Sequence, residues 1–204
     1  MGTNAGLIEL FAGRLVPLDK YSLFLNEHRE YGSSCYDVHS DHSGVCYSSR
    51  LRPILNMRPK HISGLGGHGS SLWQFNADTH ITDWLEALGY EFDVITDEDL
   101  HNHGFELLKP YAVILSGTHP EYHSKSMWDA MMAYQQQGGR LMYMGANGWY
   151  WRIAYHPELP GAIEVRRNEG GIRTWAAEPG EYYHSFTGEY GGLWRRPGRP
   201  PQML

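Results

Sequence analysis

Two apolar runs, each followed at once by a polar loop, constrain most strongly what this chain folds into. Residues 111–115 read Tyr-Ala-Val-Ile-Leu, and residues 140–144 read Arg-Leu-Met-Tyr-Met. An unbroken apolar run such as the first is typical of a strand buried on both faces. Between the runs, Ser124 can cap a helix whose apolar face comes from residues 127–134. Strand, helix and strand with short links predict parallel pairing within an α/β sheet.

The segment before these runs is expected to extend the same pattern. Either serine of residues 70–71 can cap a helix that begins near Leu72, and Gly89 suits its C-terminal cap. Residues 90–96 alternate like a strand, and residues 97–109 predict a turn into a short helix. The sequence therefore predicts an α/β fold with a doubly wound, mostly parallel sheet and flanking helices.

The punctuation by Gly and Pro divides the chain into three segments. Residues 1–60 lack clean periodicity, residues 61–155 carry the α/β pattern, and residues 156–204 are broken repeatedly by Gly and Pro. We interpret the first as an irregular N-terminal segment packing on an α/β core, and the last as a C-terminal extension. Both ends are abrupt, which indicates a fragment of a longer polypeptide.

Charge and composition argue against several classes of partner. A formal net charge of −6 over 204 residues disfavours nucleic acid, because phosphate binding requires a basic face. No apolar run approaches the ~20 residues that span a membrane, and no signal-peptide pattern is present, so a cytoplasmic protein is expected. Cys35 and Cys46 are too few for a secreted disulfide framework, and whether they are free stays open.

The loop after the first apolar run carries the densest polar cluster. His119, Glu121 and His123 lie within five residues of one another, with Pro120 between the first two. In an open α/β sheet, ligands bind beyond the carboxyl ends of the strands. On an extended loop His119 and Glu121 face the same side, where the carboxylate can bind a metal or act as a general base. Alternatively, Glu121 only interacts favourably with the dipole of a following helix.

Two further segments hold candidate chemistry. Residues 36–42 place Asp37, His39 and Asp41 on one face if extended, which suits either a metal site or a hydrogen-bonded polar turn. Asn147 lies in an Asn-Gly pair after the second run, so it is either a turn residue or a donor to a developing oxyanion. No Gly-x-Ser-x-Gly motif of a serine hydrolase occurs. Neither cysteine lies at a predicted strand-to-helix turn, so amidotransferase chemistry with a cysteine nucleophile is not expected.

Four segments in this order resemble one protein family. They are residues 34–41 (Ser-Cys-Tyr-Asp-Val-His-Ser-Asp), residues 50–59 (Arg-Leu-Arg-Pro followed by Asn-Met-Arg-Pro), residues 116–122 (Ser-Gly-Thr-His-Pro-Glu-Tyr) and residues 145–151 (Gly-Ala-Asn-Gly-Trp-Tyr-Trp). Together they resemble the large (β) subunit of N,N-dimethylformamidase over most of the chain. That subunit is much longer, so the resemblance implies an internal or C-terminal part of it.

The resemblance implies a fold and a metal site. The fold is a glutamine-amidotransferase-like α/β domain that has lost its nucleophile, and the site holds a mononuclear ferric iron, Fe(3+), on two tyrosines and one glutamate. Tyr36 and Glu121 match two of these metal ligands, and His119 and Asn147 match residues expected to act in catalysis. The second tyrosine belongs to a Tyr-x-Ala-Tyr-Ala-Asn motif that residues 1–35 lack, so it is expected outside this chain.

The implied function is metal-dependent hydrolysis of a small N-alkyl amide, such as N,N-dimethylformamide, to an amine and formate. The implied partners are a small (α) subunit and further copies in a homo-oligomer. Three alternatives stay open. A hydrolase of the same build can act on another substrate, and a catalytically incomplete domain can serve as a ligand- or subunit-binding module. A zinc deacylase that uses Asp37, His39 and His42 is the third.

Overall fold

A computed structural model describes residues 24, 27–53, 75–168, 174–175 and 177–195. Its elements in chain order are β1 (Tyr47–Ser49), α1 (Phe75–Ala87), α2 (Asp97–His103), α3 (Phe105–Leu108), β2 (Val113–Leu115), β3 (Tyr122–His123), α4 (Lys125–Gln136), β4 (Arg140–Met142), β5 (Trp151–Tyr155) and β6 (Ala162–Val165), with a 3-10 turn at Arg29–Tyr31. The strands form a four-stranded mixed sheet in the order β1-β6-β5-β3 and a parallel pair, β2-β4. The loop between β2 and β3 therefore runs from one sheet to the other.

The predicted strand, helix and strand around Ser124 are confirmed. β2 pairs with β4 in parallel, with Ile114 opposite Leu141. The Ser124 hydroxyl accepts the N–H of Met127 and caps α4. However, β2 is not buried on both faces, because Val113 is 37% exposed. The doubly wound, glutamine-amidotransferase-like arrangement of the whole domain stays a prediction.

The segment before β2 agrees with the sequence in part. The predicted start of α1 near Leu72 lies outside the described residues, whereas Gly89 follows the helix with a φ of 74°, as its C-terminal cap requires. The short helix predicted after residue 96 is present as α2 and α3. The strand predicted at residues 90–96 is wrong: this stretch is irregular, and Val94 is 72% exposed. Ile95 packs against the buried core, but the stretch pairs with no strand in the described part of the chain.

Two strands follow residue 150, and the second of them, β6, lies in the segment interpreted as a C-terminal extension. β5 pairs antiparallel with β6 and parallel with β3. Trp151 is fully buried, and Val165 is 1% exposed. The sequence of β6 lacks a clear alternation of apolar and polar residues because one of its buried positions is the charged Glu164. This side chain is fully buried and pairs with Arg166 at 2.7 Å. A charged residue inside a strand removes the period on which a sequence-based prediction depends.

The buried apolar side chains form two clusters. The first packs α2, α3 and α4 against Trp149 and Trp194, and the second combines Cys35, Tyr122 and Trp151 with residues of β5 and β6. Both cysteines are buried and free, which answers the question left open by the sequence. In the part of the chain that the structure describes, no helix has the length and apolar character needed to cross a membrane.

Candidate functional site

The loop between β2 and β3 is anchored from α1. Asp78 on α1 accepts two hydrogen bonds at Oδ1, from the N–H of Thr118 at 2.7 Å and from its hydroxyl at 2.8 Å. A Cβ added to Gly117 would lie 3.1 Å from the same carboxylate oxygen, so glycine permits this close approach. The anchor fixes the backbone immediately before His119.

The loop after β4 lies directly against this first loop. Its backbone donates to the first loop through Ala146 N–H to Thr118 O (3.2 Å), Trp149 N–H to Pro120 O (3.0 Å) and Tyr150 N–H to Glu121 O (3.2 Å). A Cβ on Gly145 would lie 2.7 Å from the Thr118 carbonyl oxygen, which explains the glycine there. Since β2 and β4 are parallel neighbours, both loops leave the same edge, the position where α/β sheets bind ligands.

Four side chains from three parts of the chain form a continuous line of contacts. Nδ2 of Asn147 lies 3.3 Å from Nε2 of His119, and the same Nε2 lies 3.2 Å from Oε2 of Glu121. The hydroxyl of Tyr36 donates to Oε1 of Glu121 at 3.5 Å. The structure thus brings together the four residues that the family resemblance implies as metal ligands or catalytic groups.

The two contacts of His119 depend on which form of the imidazole is present. The Glu121 carboxylate can only accept, so its contact requires a proton on Nε2, whereas the Asn147 amide nitrogen can donate only to an unprotonated Nε2. The two contacts therefore cannot both be hydrogen bonds in one state. A proton arriving at Nε2 strengthens the contact with Glu121 and releases the amide N–H of Asn147.

The line of contacts opens to solvent at one end. The side chains of His119 and Glu121 are 20% and 11% exposed, while Asn147 lies at the surface. Asn147 has a φ of 52° and Trp149 a φ of 49°. Asparagine adopts this left-handed conformation readily, but a bulky residue such as tryptophan does so only when its surroundings hold it there. The loop is therefore held in one strained conformation beside the polar groups.

Two residues that contact Tyr36 were not predicted from the sequence, Tyr122 and Arg167. The hydroxyl of Tyr122 meets the hydroxyl of Tyr36, and the guanidinium carbon of Arg167 lies 3.3 Å from the centroid of the Tyr36 ring. Nη1 of Arg167 donates to the Tyr122 hydroxyl at 3.5 Å. Tyr122 closes one of the four motifs that carry the family resemblance, and Arg167 lies in the segment that the sequence predicts to be a C-terminal extension. No local pattern signals either contact.

Comparison with known proteins identifies the family. The model of the family described as N,N-dimethylformamidase beta subunit-like, C-terminal, matches residues 20–204. This chain belongs to that family. It is 44% identical over 202 residues to the N,N-dimethylformamidase beta subunit of Alcaligenes sp, and 43% identical over 202 residues to that of Paracoccus aminophilus. The resemblance seen in the sequence is confirmed.

The two matches cover nearly all of this chain but only a small part of each relative. Each includes 98% of this chain but only 26% of the relative. The chain therefore spans about a quarter of the length of the curated relatives it matches. All four residues of the contact line lie inside the segment that matches the N,N-dimethylformamidase family model.

The polar segment at residues 36–42 forms a hydrogen-bonded turn. Oδ2 of Asp37 accepts the N–H of Ser34 at 3.0 Å, and Oδ1 of Asp41 accepts from the N–H and the hydroxyl of Ser43. Within the described residues, no group of three or more His, Cys, Asp or Glu side chains is placed to hold a metal ion. Of the two interpretations of this segment, the contacts of Asp37 and Asp41 are those of a turn.

The oxygen donors of Tyr36 and Glu121 fit a hard cation. Their oxygens lie 3.5 Å apart, and oxygen ligands bind such ions at about 2.0–2.6 Å, so one ion can reach both. Phenolate and carboxylate oxygens are the hard, anionic donors that such ions prefer. Burial, with the Glu121 carboxylate, raises the pKa of the Tyr36 hydroxyl, and the Arg167 guanidinium opposes that shift.

Proposed function

We propose that this chain supplies catalytic residues for the hydrolysis of a small N-alkyl amide such as N,N-dimethylformamide, which gives an amine and formate. The observation that carries the proposal is the contact line from Asn147 through His119 and Glu121 to Tyr36. The names of the Alcaligenes and Paracoccus relatives support the substrate class. The reaction adds one water across the C–N bond, so a proton must leave water and reach the amine nitrogen.

We also propose that Tyr36 and Glu121 hold a mononuclear ferric ion together with a tyrosine from outside this chain. The support is their pair of hard oxygen donors, 3.5 Å apart at the inner end of the contact line. When bound, such an ion supplies Lewis acidity toward an amide carbonyl and toward water. We propose further that the complete polypeptide assembles with a small subunit and with further copies of itself. The relatives' names as beta subunits support a partner subunit.

In this proposal His119 moves the proton. Its Nε2 takes a proton from the attacking water, and the Glu121 carboxylate at 3.2 Å stabilises the imidazolium that results. The same event frees the amide N–H of Asn147, which lies 3.3 Å from Nε2. Asn147 then donates to the carbonyl oxygen of the substrate as negative charge develops on it. His119 returns the proton to the leaving amine.

A ligand- or subunit-binding module without catalytic activity is the second candidate. The observation that favours it is that residues 1–35 lack the Tyr-x-Ala-Tyr-Ala-Asn motif, so only one of the two tyrosine ligands that the resemblance implies is matched. This candidate predicts that replacing the four contact-line residues leaves the hydrolytic activity of the full-length protein unchanged. The substitution below separates the two candidates.

Replacing Asn147 with glycine should lower kcat for N,N-dimethylformamide by about 100- to 1000-fold, the usual loss on removing one oxyanion donor. Glycine accepts the positive φ of this position without strain, so the variant removes the amide and little else. The measurement is dimethylamine release by the full-length protein. Asn102→Gly, on the exposed face of α2, is the matched control. Equal kcat for both variants would contradict the role of Asn147.

A further inference from the structure

We propose that Tyr122 is a positioning residue of this site, because its hydroxyl, oriented by Arg167, donates a hydrogen bond to the hydroxyl oxygen of Tyr36. The Tyr36 oxygen therefore accepts a hydrogen bond on the side that faces Tyr122. Its own O–H group is then directed at Glu121. The inference rests on the proposed function, since it concerns how Tyr36 is prepared to bind a cation.

The groups involved are buried and in contact. Tyr122 is 7% exposed and Arg167 is 1% exposed. Nη1 of Arg167 lies 3.5 Å from the Tyr122 hydroxyl, which in turn contacts the Tyr36 hydroxyl. The Tyr36 hydroxyl lies 3.5 Å from Oε1 of Glu121. Three successive contacts therefore connect a guanidinium to a carboxylate.

The chemistry of the two ends fixes the direction of every hydrogen bond between them. A guanidinium has only donors, and a carboxylate has only acceptors. Arg167 must donate to Tyr122, and Glu121 must accept from Tyr36. With both ends fixed, the proton of Tyr122 lies toward Tyr36, and the proton of Tyr36 lies toward Glu121. The Tyr36 oxygen therefore accepts on the side of Tyr122 and faces Glu121, the other proposed metal ligand, on the side where a cation would be held.

Stacking holds Arg167 in the orientation that this direction requires. Its guanidinium carbon lies 3.3 Å from the Tyr36 ring centroid and 4.7 Å from that of Trp151. Trp151 is fully buried on β5, so it gives the guanidinium a fixed platform. A guanidinium over an aromatic face is attracted by the ring quadrupole, and lysine does not reproduce this planar contact.

The test uses the full-length protein loaded with ferric iron. A tyrosine bound to ferric iron produces a visible phenolate-to-metal charge-transfer band. A hydrogen bond to the phenolate oxygen stabilises its electrons, so Tyr122→Phe should shift the band to longer wavelength. Iron affinity, measured by competition with a chelator, should fall by about 10- to 100-fold, as is usual when an outer partner of a ligand is removed.

Two further variants make the result specific. Arg167→Lys should shift the band in the same direction as Tyr122→Phe. The double variant should shift it by less than the sum, because part of the effect of Arg167 on Tyr36 passes through the Tyr122 hydroxyl. Tyr134→Phe is the control, because Tyr134 is also buried but its hydroxyl donates to the Tyr111 carbonyl at 2.9 Å. It should leave both the band and the affinity unchanged.

The outcomes separate this inference from the proposed function. A band that depends on Tyr36 but is unmoved by Tyr122→Phe, with unchanged iron affinity, would overturn the positioning role and leave the proposed function standing. A wild-type protein without a Tyr36-dependent band would overturn the proposed metal site, and this inference with it. A shift in Tyr122→Phe that Tyr134→Phe lacks supports both.

Discussion

Replacing Glu121 with alanine in the full-length protein should abolish dimethylamine release from N,N-dimethylformamide. The carboxylate contacts His119 through Oε2 at 3.2 Å and Tyr36 through Oε1 at 3.5 Å, so its removal breaks the contact line on both sides. The loss includes proton transfer, for which a positioned acid–base group contributes up to about 10⁴-fold. We expect a fall in kcat/KM of at least about this size.

A matched pair of variants separates charge from packing. Glu121→Gln keeps the size of the side chain but removes the negative charge, so it should be about as inactive as the alanine variant. Glu158→Gln, at an exposed position after β5, should keep wild-type activity. Full activity of Glu121→Gln would show that Glu121 is neither a metal ligand nor the partner of a protonated His119.

Replacing Tyr36 with phenylalanine should remove or shift the visible band of the iron-loaded protein and lower its activity. Phenylalanine keeps the ring that lies 3.3 Å from Arg167, so the packing survives while the oxygen donor is lost. A residual band from a tyrosine outside this chain is compatible with the proposal. The measurements are the absorption spectrum and the iron content of the same sample.

The control for this variant is a tyrosine away from the contact line. Tyr47 is 50% exposed on β1, and its hydroxyl contacts Ser185 at 2.9 Å. Tyr47→Phe should therefore leave the spectrum unchanged. A colourless wild-type protein that contains zinc and still hydrolyses the amide would contradict the ferric site altogether.

The parts of the fold that the sequence predicts are those with local signals. The strand, helix and strand at β2, α4 and β4 follow from two apolar runs and a serine cap, all within short stretches of chain. The prediction fails where the outcome depends on a distant partner. Residues 90–96 have the alternation of a strand but pair with no strand among the residues that the structure describes, and β6 is a strand although the charged Glu164 lies inside it.

The residues of the candidate site likewise fall into those with local sequence signals and those that depend on distant partners. His119, Glu121 and Asn147 lie in loops after predicted strands, so parallel pairing alone is enough to bring them near one another. Tyr36 joined this group only through the resemblance to a family, since its own segment favours a turn at least as well as a site. Arg167 and Tyr122 reach Tyr36 through the packing of the mixed sheet, which no periodicity encodes.

The central claim is that these side chains act as one catalytic unit. The most direct test is kcat for N,N-dimethylformamide in the full-length protein carrying His119→Gln, Asn147→Gly or both. Groups that act as a unit are strongly non-additive. The account predicts that the double variant is no slower than the worse single variant, because the released amide of Asn147 is useful only when His119 takes the proton. Losses that multiply in the double variant, or single variants as fast as wild type, would contradict it.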